Sequence, residues 1–197
     1  MPPDSLSADF TVRDLTIDRG GVVLIDALSF GLSAGDMLVL RGPNGSGKTS
    51  LLRVLAGIGA AQSGAISACG VDQSDDAAGY GVLIGYWGHR DGLKEAQTAL
   101  ASLQQWQALS GQTLSAEDAD AALEQVGLAG RADFPVRTFS AGQRRRLGLV
   151  RLLCKRAQVW LLDEPFTALD QDGRALLTSL FEEHRKTGGI IIAALHD

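Results

Sequence analysis

Met37-Leu38-Val39-Leu40-Arg41-Gly42-Pro43-Asn44-Gly45-Ser46-Gly47-Lys48-Thr49-Ser50-Leu51-Leu52 runs from a short apolar segment through a glycine-rich turn into a helix-forming one. Residues 42–49 satisfy G-x-x-x-x-G-K-[ST] at every fixed position. Met37 to Leu40 reads as a short buried strand. Ser50 to Ala56 reads as a helix with Leu51, Leu52 and Leu55 on its apolar side. Between them, the four glycines and prolines Gly42, Pro43, Gly45 and Gly47, interleaved with Asn44 and Ser46, let the backbone curl until several N–H groups point inward. Those donors, together with the positive end of the helix, bind an anion. The spacing predicts that Lys48 reaches the β- and γ-phosphates of a nucleoside triphosphate and that the Thr49 hydroxyl ligates Mg2+. The phosphate-binding set extends from Gly42 to Ser50.

The rest of the composition sets bounds. A chain of 197 residues with 45% hydrophobic content suits one globular domain with a sizeable core. The net charge of −5 lends no support to a nucleic-acid partner. Cys69 and Cys154 lie far apart without a C-x-x-C, and they read as buried small hydrophobes in a reducing compartment. Met1 to Asp9 is polar and lacks an apolar signal-peptide core. No apolar stretch reaches the ~18 residues of a membrane span, so membrane association is expected to come through a partner.

Along the chain, Phe10 and Val12, then Leu15 and Ile17, then Leu28 and Phe30 mark antiparallel strands with one phase slip, broken at Gly20-Gly21 and Ser33-Ala34-Gly35. Ser63 to Ala78 is small and polar, with Gly64 and Gly70 as turn signals, and Gly81 to Trp87 reads as a short strand. From Gly88 to about Phe139 the composition favours helices. Leu100, Leu103 and Trp106 share a helical face. Ser115 is placed to cap a second helix, with Asp118 at the third position, and Gly127 ends it. Val159 to Leu162 and Ile190 to Leu195 are continuous apolar runs suited to strands buried on both faces of a parallel sheet. Gln171 to Lys186 between them is helical. Strands alternating with helices predict an α/β core.

The run Val159-Trp160-Leu161-Leu162-Asp163-Glu164 ends in two carboxylates. Asp163 is placed to hold Mg2+, directly or through water, and Glu164 to polarise the water that attacks the γ-phosphate. A kinase passing phosphate to another molecule has no need of a water-activating carboxylate there.

Phe139-Ser140-Ala141-Gly142-Gln143 resembles the L-S-G-G-Q signature of ABC-type ATPases, with Phe139 for leucine and Ala141 for glycine. The resemblance runs from about Phe10 to Asp197. It takes in the phosphate loop, Asp163-Glu164-Pro165, Ala168-Leu169-Asp170 and His196 after a strand. It implies a P-loop NTPase (RecA-like) core with an N-terminal antiparallel β-subdomain and an inserted α-helical subdomain at about residues 88–150, all within a single ATP-binding domain, 1–197. It also implies a head-to-tail homodimer in which Ser140 and Gly142 of one chain meet the γ-phosphate of ATP held by the other's Lys48. In that arrangement Asp170 shapes the dimer seam, and Glu164, His196 and Lys48 carry the hydrolysis. Two positions depart from the family pattern. Arg19 stands near where an aromatic ring stacks on adenine, and a guanidinium can stack on a base by its planar face. His89 stands where a glutamine senses Mg2+ and the membrane partner.

Gly88-His89-Arg90-Asp91-Gly92-Leu93-Lys94 is similar to a stretch of the haem-exporter ATPases of bacterial cytochrome c maturation. Pro135-Val136, Arg145-Arg146, Trp160 to Asp170 and Gly188-Gly189-Ile190 agree with that branch. The resemblance implies an ATPase peripheral to the cytoplasmic face of the bacterial inner membrane. Its partners would be an integral membrane permease subunit and components of a haem or haem-chaperone pathway, with the permease docking near Trp87 to Lys94. Another small-substrate ABC transporter would share every core motif. A soluble ABC protein acting on DNA or ribosomes usually carries two cassettes or long coiled-coil insertions, and this chain has neither. The run Arg144-Arg145-Arg146 reads as a solvated or partner-facing surface rather than a nucleic-acid contact.

Overall fold

Short, uninterrupted apolar runs have no polar face to offer water, so they are stable only as strands covered on both sides. The computed structural model describes residues 9–89, 92–109 and 111–195. Its elements, in chain order, are β1 (Phe10–Arg19), β2 (Val22–Leu32), β3 (Met37–Leu40), α1 (Lys48–Leu55), β4 (Ser63–Ala68), β5 (Val71–Asp72), α2 (Ala77–Leu83) and β6 (Ile84–Trp87). There follow α3 (Ala99–Leu109), α4 (Ala116–Gln125), α5 (Ala141–Lys155), β7 (Val159–Asp163), α6 (Gln171–Lys186) and β8 (Ile190–Ala194). They divide into two compact units. One draws on Met1–Gly88, Ala157–Pro165 and Phe181–Asp197, the other on His89–Arg156 and Phe166–Leu180.

The first unit holds two sheets. A parallel sheet has the order β3-β8-β7-β6, and every residue of β7 and β8 is buried. An antiparallel sheet has the order β2-β1-β4-β5. One hydrophobic core joins Phe10, Val12, Leu15 and Ile17 of β1, Leu51, Leu52, Val54 and Leu55 of α1, and Leu161 and Ile192 of the parallel sheet. His184 near the end of α6 stacks on Trp160 of β7, with ring centroids 3.9 Å apart and planes 10° from parallel. Burial lowers the pKa of this imidazole, because charging it means stripping water from the cation.

The second unit is helical, with α3, α4 and α5 packed on one another. Ser115 caps α4 as the sequence indicates, accepting from the Asp118 N–H at 3.0 Å. Among the described residues, no helix is long and apolar enough to cross a membrane.

Four expectations change. The β1–β2 pairing carries register shifts at three points rather than one slip. Residues 63–78 are not merely turns. Ile66 and Ala68 are buried alternately along β4, which pairs with β1. The strand is possible because Gly64 carries no side chain: a Cβ there would lie 2.5 Å from Leu15 Cα. Gly81 to Leu83 belongs to α2, started by Asp76, whose carboxylate accepts from the Gly79 N–H at 2.8 Å. Cys69 is exposed, in the turn between β4 and β5, rather than buried.

Gly64→Ala is expected to lower stability by roughly 2–3 kcal/mol, because φ there is +106° and backbone blocks the methyl. A urea titration within 0.5 kcal/mol of the parent would contradict this close approach. The unfolded chain protonates His184 near its ordinary 6.5 and the folded chain only at lower pH. Stability should therefore fall as the pH drops below 6.5, until the folded value is passed. His184→Phe keeps the ring stack and should flatten that part of the denaturation profile.

Candidate nucleotide-binding site

The phosphate-binding loop leaves the C-terminal end of β3 and turns on three glycines with positive φ: Gly42 at 144°, Gly45 at 84° and Gly47 at 93°. Gly47 is the residue that starts α1, and it supplies no side-chain acceptor to the helix. The first N–H groups of α1 therefore face outward as anion donors. Gly47 is buried against β2, where a Cβ would sit 3.4 Å from Leu24 Cβ. Lys48 curls over the loop and donates to the carbonyl oxygens of Gly42 and of Pro43, the latter at 3.0 Å. The loop thus holds its cation above its own amide donors.

Thr49 opens α1, and Asp163 closes β7. The Thr49 hydroxyl donates to Asp163 Oδ1 at 3.2 Å, and Asp163 is 2% exposed. A hydroxyl and a carboxylate are hard oxygen donors, and two such groups completed by phosphate oxygens and water suit Mg2+. Soft ligands are absent from the pair, so the donor set agrees with the Mg2+ site anticipated from the sequence.

The register of the parallel sheet sets the strand ends level. Leu40 pairs with Ala194, and Ala194 with Asp163. The next row continues this alignment. The Leu195 N–H donates to Leu40 O at 3.2 Å, and the Glu164 N–H donates to Ala194 O at 3.0 Å. The loop, Asp163 and Glu164 thus emerge at the same carboxyl edge, the place where α/β sheets bind ligands. Glu164 has φ +53°, a left-handed conformation that side chains rarely adopt. Such strain persists where surrounding structure enforces it, and it clusters at functional positions. His196, expected in catalysis, lies outside the described residues. Arg19, at the end of β1, is exposed and pairs with Val22 across the Gly20-Gly21 turn.

In the helical unit, Ser140 starts α5 with a reciprocal cap. Its Oγ accepts from the Gln143 N–H at 3.2 Å, and Gln143 Oε1 accepts from the Ser140 N–H at 2.9 Å. The S-x-x-Q spacing is the sequence signal of such a reciprocal cap. Ser140 is exposed, so its hydroxyl can still donate outward while it accepts inward. A Cβ on Gly142 would stand 3.3 Å from Ala168 O. Asp170 starts α6, accepting from the Gly173 N–H at 2.8 Å.

The three-arginine run is tied down rather than wholly solvated, with Arg144 and Arg146 half-buried. Arg144 donates to Phe139 O at 2.7 Å, Arg145 to His89 O at 3.3 Å, and Arg146 to Val126 O at 3.1 Å. Arg145 is 5% exposed. Each guanidinium fastens a different segment to α5: the start of the signature, the His89 segment and the end of α4. His89 itself is exposed.

Comparison with known proteins bears on this arrangement. The ABC transporter family profile matches residues 25–167. A cytochrome c biogenesis ATP-binding export protein, CcmA, of Paracoccus denitrificans is 45% identical over 94% of this chain and 81% of its own length. The protein of the same name from Vibrio cholerae is 40% identical over 94% of this chain and 89% of its own length. Two solved structures share the fold. One is an ATP-binding protein of a putative ABC transporter from Pyrococcus furiosus, with a TM-score of 0.82 at 23% identity, covering 95% of this chain and 91% of that one. The other is a dimeric, post-hydrolysis ATP-binding cassette bound to ADP and Pi, with a TM-score of 0.82 at 20% identity, covering 95% and 88%. With the phosphate loop, the paired Thr49 and Asp163 and the capped signature helix in one chain, the protein belongs to the ABC transporter family, in the branch of the cytochrome c biogenesis ATP-binding export proteins.

Proposed function

We propose that this chain is the ATP-hydrolysing subunit of a membrane transport complex that handles haem for c-type cytochrome assembly. The observation that carries the ATPase reading is the Thr49–Asp163 pair beside Lys48 at one sheet edge. The assignment to cytochrome biogenesis rests on the similarity to the Paracoccus and Vibrio export proteins.

In the proposed mechanism, backbone N–H groups of the loop and of the first turn of α1 bind the β- and γ-phosphates of ATP, and Lys48 exchanges its loop carbonyls for phosphate oxygens. Thr49 and Asp163 hold Mg2+, which when bound neutralises phosphate charge in the transition state. Glu164 takes a proton from the attacking water, and His196 supports the γ-phosphate. A second copy of the chain completes the site with the Ser140 hydroxyl and the Gly142 N–H, where the positive end of α5 faces the anion. Both copies then contribute to each hydrolysis event, so closure of the dimer and turnover are coupled. The whole chain is read as one ATP-binding domain, with the permease docking near Trp87 to Lys94. The complex is placed at the cytoplasmic face of the inner membrane. Arg19 is read as a guanidinium platform for the base.

Glu164→Gln is expected to reduce ATP turnover by roughly 100-fold or more while ATP still binds and a dimer accumulates. Turnover at the parent rate would remove Glu164 from the general-base role. Lys48→Ala should lose both binding and turnover in the same assays. Ser140→Ala should cost about 1 kcal/mol of unfolding free energy through the lost cap and also slow turnover. An unfolding curve that superimposes on the parent would show that the cap contributes nothing. Deleting the gene in its host should abolish assembly of c-type cytochromes. Intact assembly, with copurification of an unrelated permease, would transfer the protein to another transport system.

A further inference from the structure

Helix α1 begins with the two residues expected to hold phosphate and metal, Lys48 and Thr49, and is eight residues long. A helix of two turns has little stability of its own, so its direction is set by what grips its ends. At the far end two side chains from outside the helix donate to its last carbonyls. The Tyr80 hydroxyl donates to Leu55 O at 2.6 Å, and Gln73 Nε2 donates to Val54 O at 3.0 Å. Gln73 also approaches Leu55 O, at 3.5 Å. Tyr80 is 1% exposed, and burial raises its pKa, so the hydroxyl remains a proton donor at neutral pH.

These contacts close a loop of rigid parts. Tyr80 sits in the middle of α2, which runs into β6 without a connecting loop, Leu83 being followed directly by Ile84. Strand β6 pairs with β7 from Ile84↔Val159 to Trp87↔Leu162. The next residue of β7 is Asp163, which receives the hydrogen bond of Thr49, the second residue of α1. The path from Thr49 along α1, through Leu55 O to Tyr80, through α2, β6 and β7 to Asp163, thus returns to Thr49. Gln73 reinforces the same junction from the segment after β5.

We propose that Tyr80, assisted by Gln73, is a positioning residue for metal binding: its hydroxyl fixes the pitch of α1 and so holds the Thr49 hydroxyl at bridging distance from Asp163. Without it α1 can pivot on its packed apolar face. The anion donors at its start tolerate a small rotation, because they are several and converge on a diffuse charge. A metal site does not, since Mg2+ demands near-ideal octahedral geometry. Mg2+ dependence is therefore the quantity that Tyr80 controls, rather than nucleotide affinity as such. This inference rests on the nucleotide-site reading above.

The test uses the full chain and a fluorescent ADP analogue, titrated once across Mg2+ concentrations and once in EDTA. For Tyr80→Phe, the Mg2+ concentration for half-maximal binding should rise by about threefold to tenfold, with affinity in EDTA within about twofold of the parent. The gain in Tm that ADP confers should shrink in Mg2+ and stay unchanged in EDTA, a readout that needs no turnover. Gln73→Leu should shift the Mg2+ requirement the same way by less, and it carries the test alone if Tyr80→Phe does not fold. Leu128→Ala, in the helical unit, should lower Tm without moving the Mg2+ requirement. An unchanged Mg2+ requirement in the folded variants, or equal losses with and without Mg2+, overturns the proposal. Lys48→Ala and Thr49→Ala in the same assay separate the two failures. If both bind ADP like the parent, the nucleotide-site reading fails. If they weaken binding and Tyr80→Phe leaves the Mg2+ requirement unmoved, only the positioning assignment fails.

Discussion

One hydrogen bond, from Thr49 on the first turn of α1 to Asp163 at the end of β7, spans 114 residues of chain. Its geometry depends on the whole first unit. Strand β8 must lie between β3 and β7 so that Leu40, Ala194 and Asp163 fall in one row. Helix α1 must leave β3 through a turn that only glycine accommodates at Gly42, Gly45 and Gly47. Packing holds the helix there. Leu51, Leu52, Val54 and Leu55 are all buried, and each such side chain contributes about 1.5–3 kcal/mol, far more than the propensity of two helical turns.

Two locally unfavourable features meet where chemistry is expected. Glu164 takes a left-handed backbone immediately after a strand in which every residue is buried. Asp163 is a nearly inaccessible carboxylate. Each feature opposes local preference, and each is adjacent to the phosphate loop along the same sheet edge. Left-handed backbone also occurs at Asp14, Ala27, Cys69, Arg156 and Ala168, so it is the coincidence with a buried carboxylate that marks this edge.

Most of the fold was legible because its signals are local. Val159 to Leu162 and Ile190 to Ala194 are uninterrupted apolar runs, and a run of that length has few alternatives to a buried parallel strand. Ser115 announced its helix by cap chemistry, and Gln171 to Lys186 was bounded correctly as a helix. What the sequence hid is non-local. Strand β4 is short, small and half exposed, and its existence depends on the bulge in β1 into which Gly64 fits. The helix α2 shares an apolar run with β6, and what signals the helix is the Asp76 cap at its start rather than periodicity. At the site, the phosphate loop and the Asp163-Glu164 pair could be read as motifs, because spacing within a segment is fixed by local geometry. The partners of Arg144, Arg145 and Arg146 lie 5, 56 and 20 residues away, and no pattern within the run distinguishes a solvated guanidinium from a fastened one.

Those three arginines also alter what the charge count means. The chain carries 18 lysines and arginines against 23 acidic residues. A guanidinium turned onto a backbone carbonyl still enters that sum, but one of its N–H donors is already committed inside the protein. Around α5, the most arginine-dense segment of the chain, the cations serve as internal rivets. The phosphate loop draws on the opposite resource: its donors are backbone amides, which no charge count registers and which converge on a single phosphate cluster.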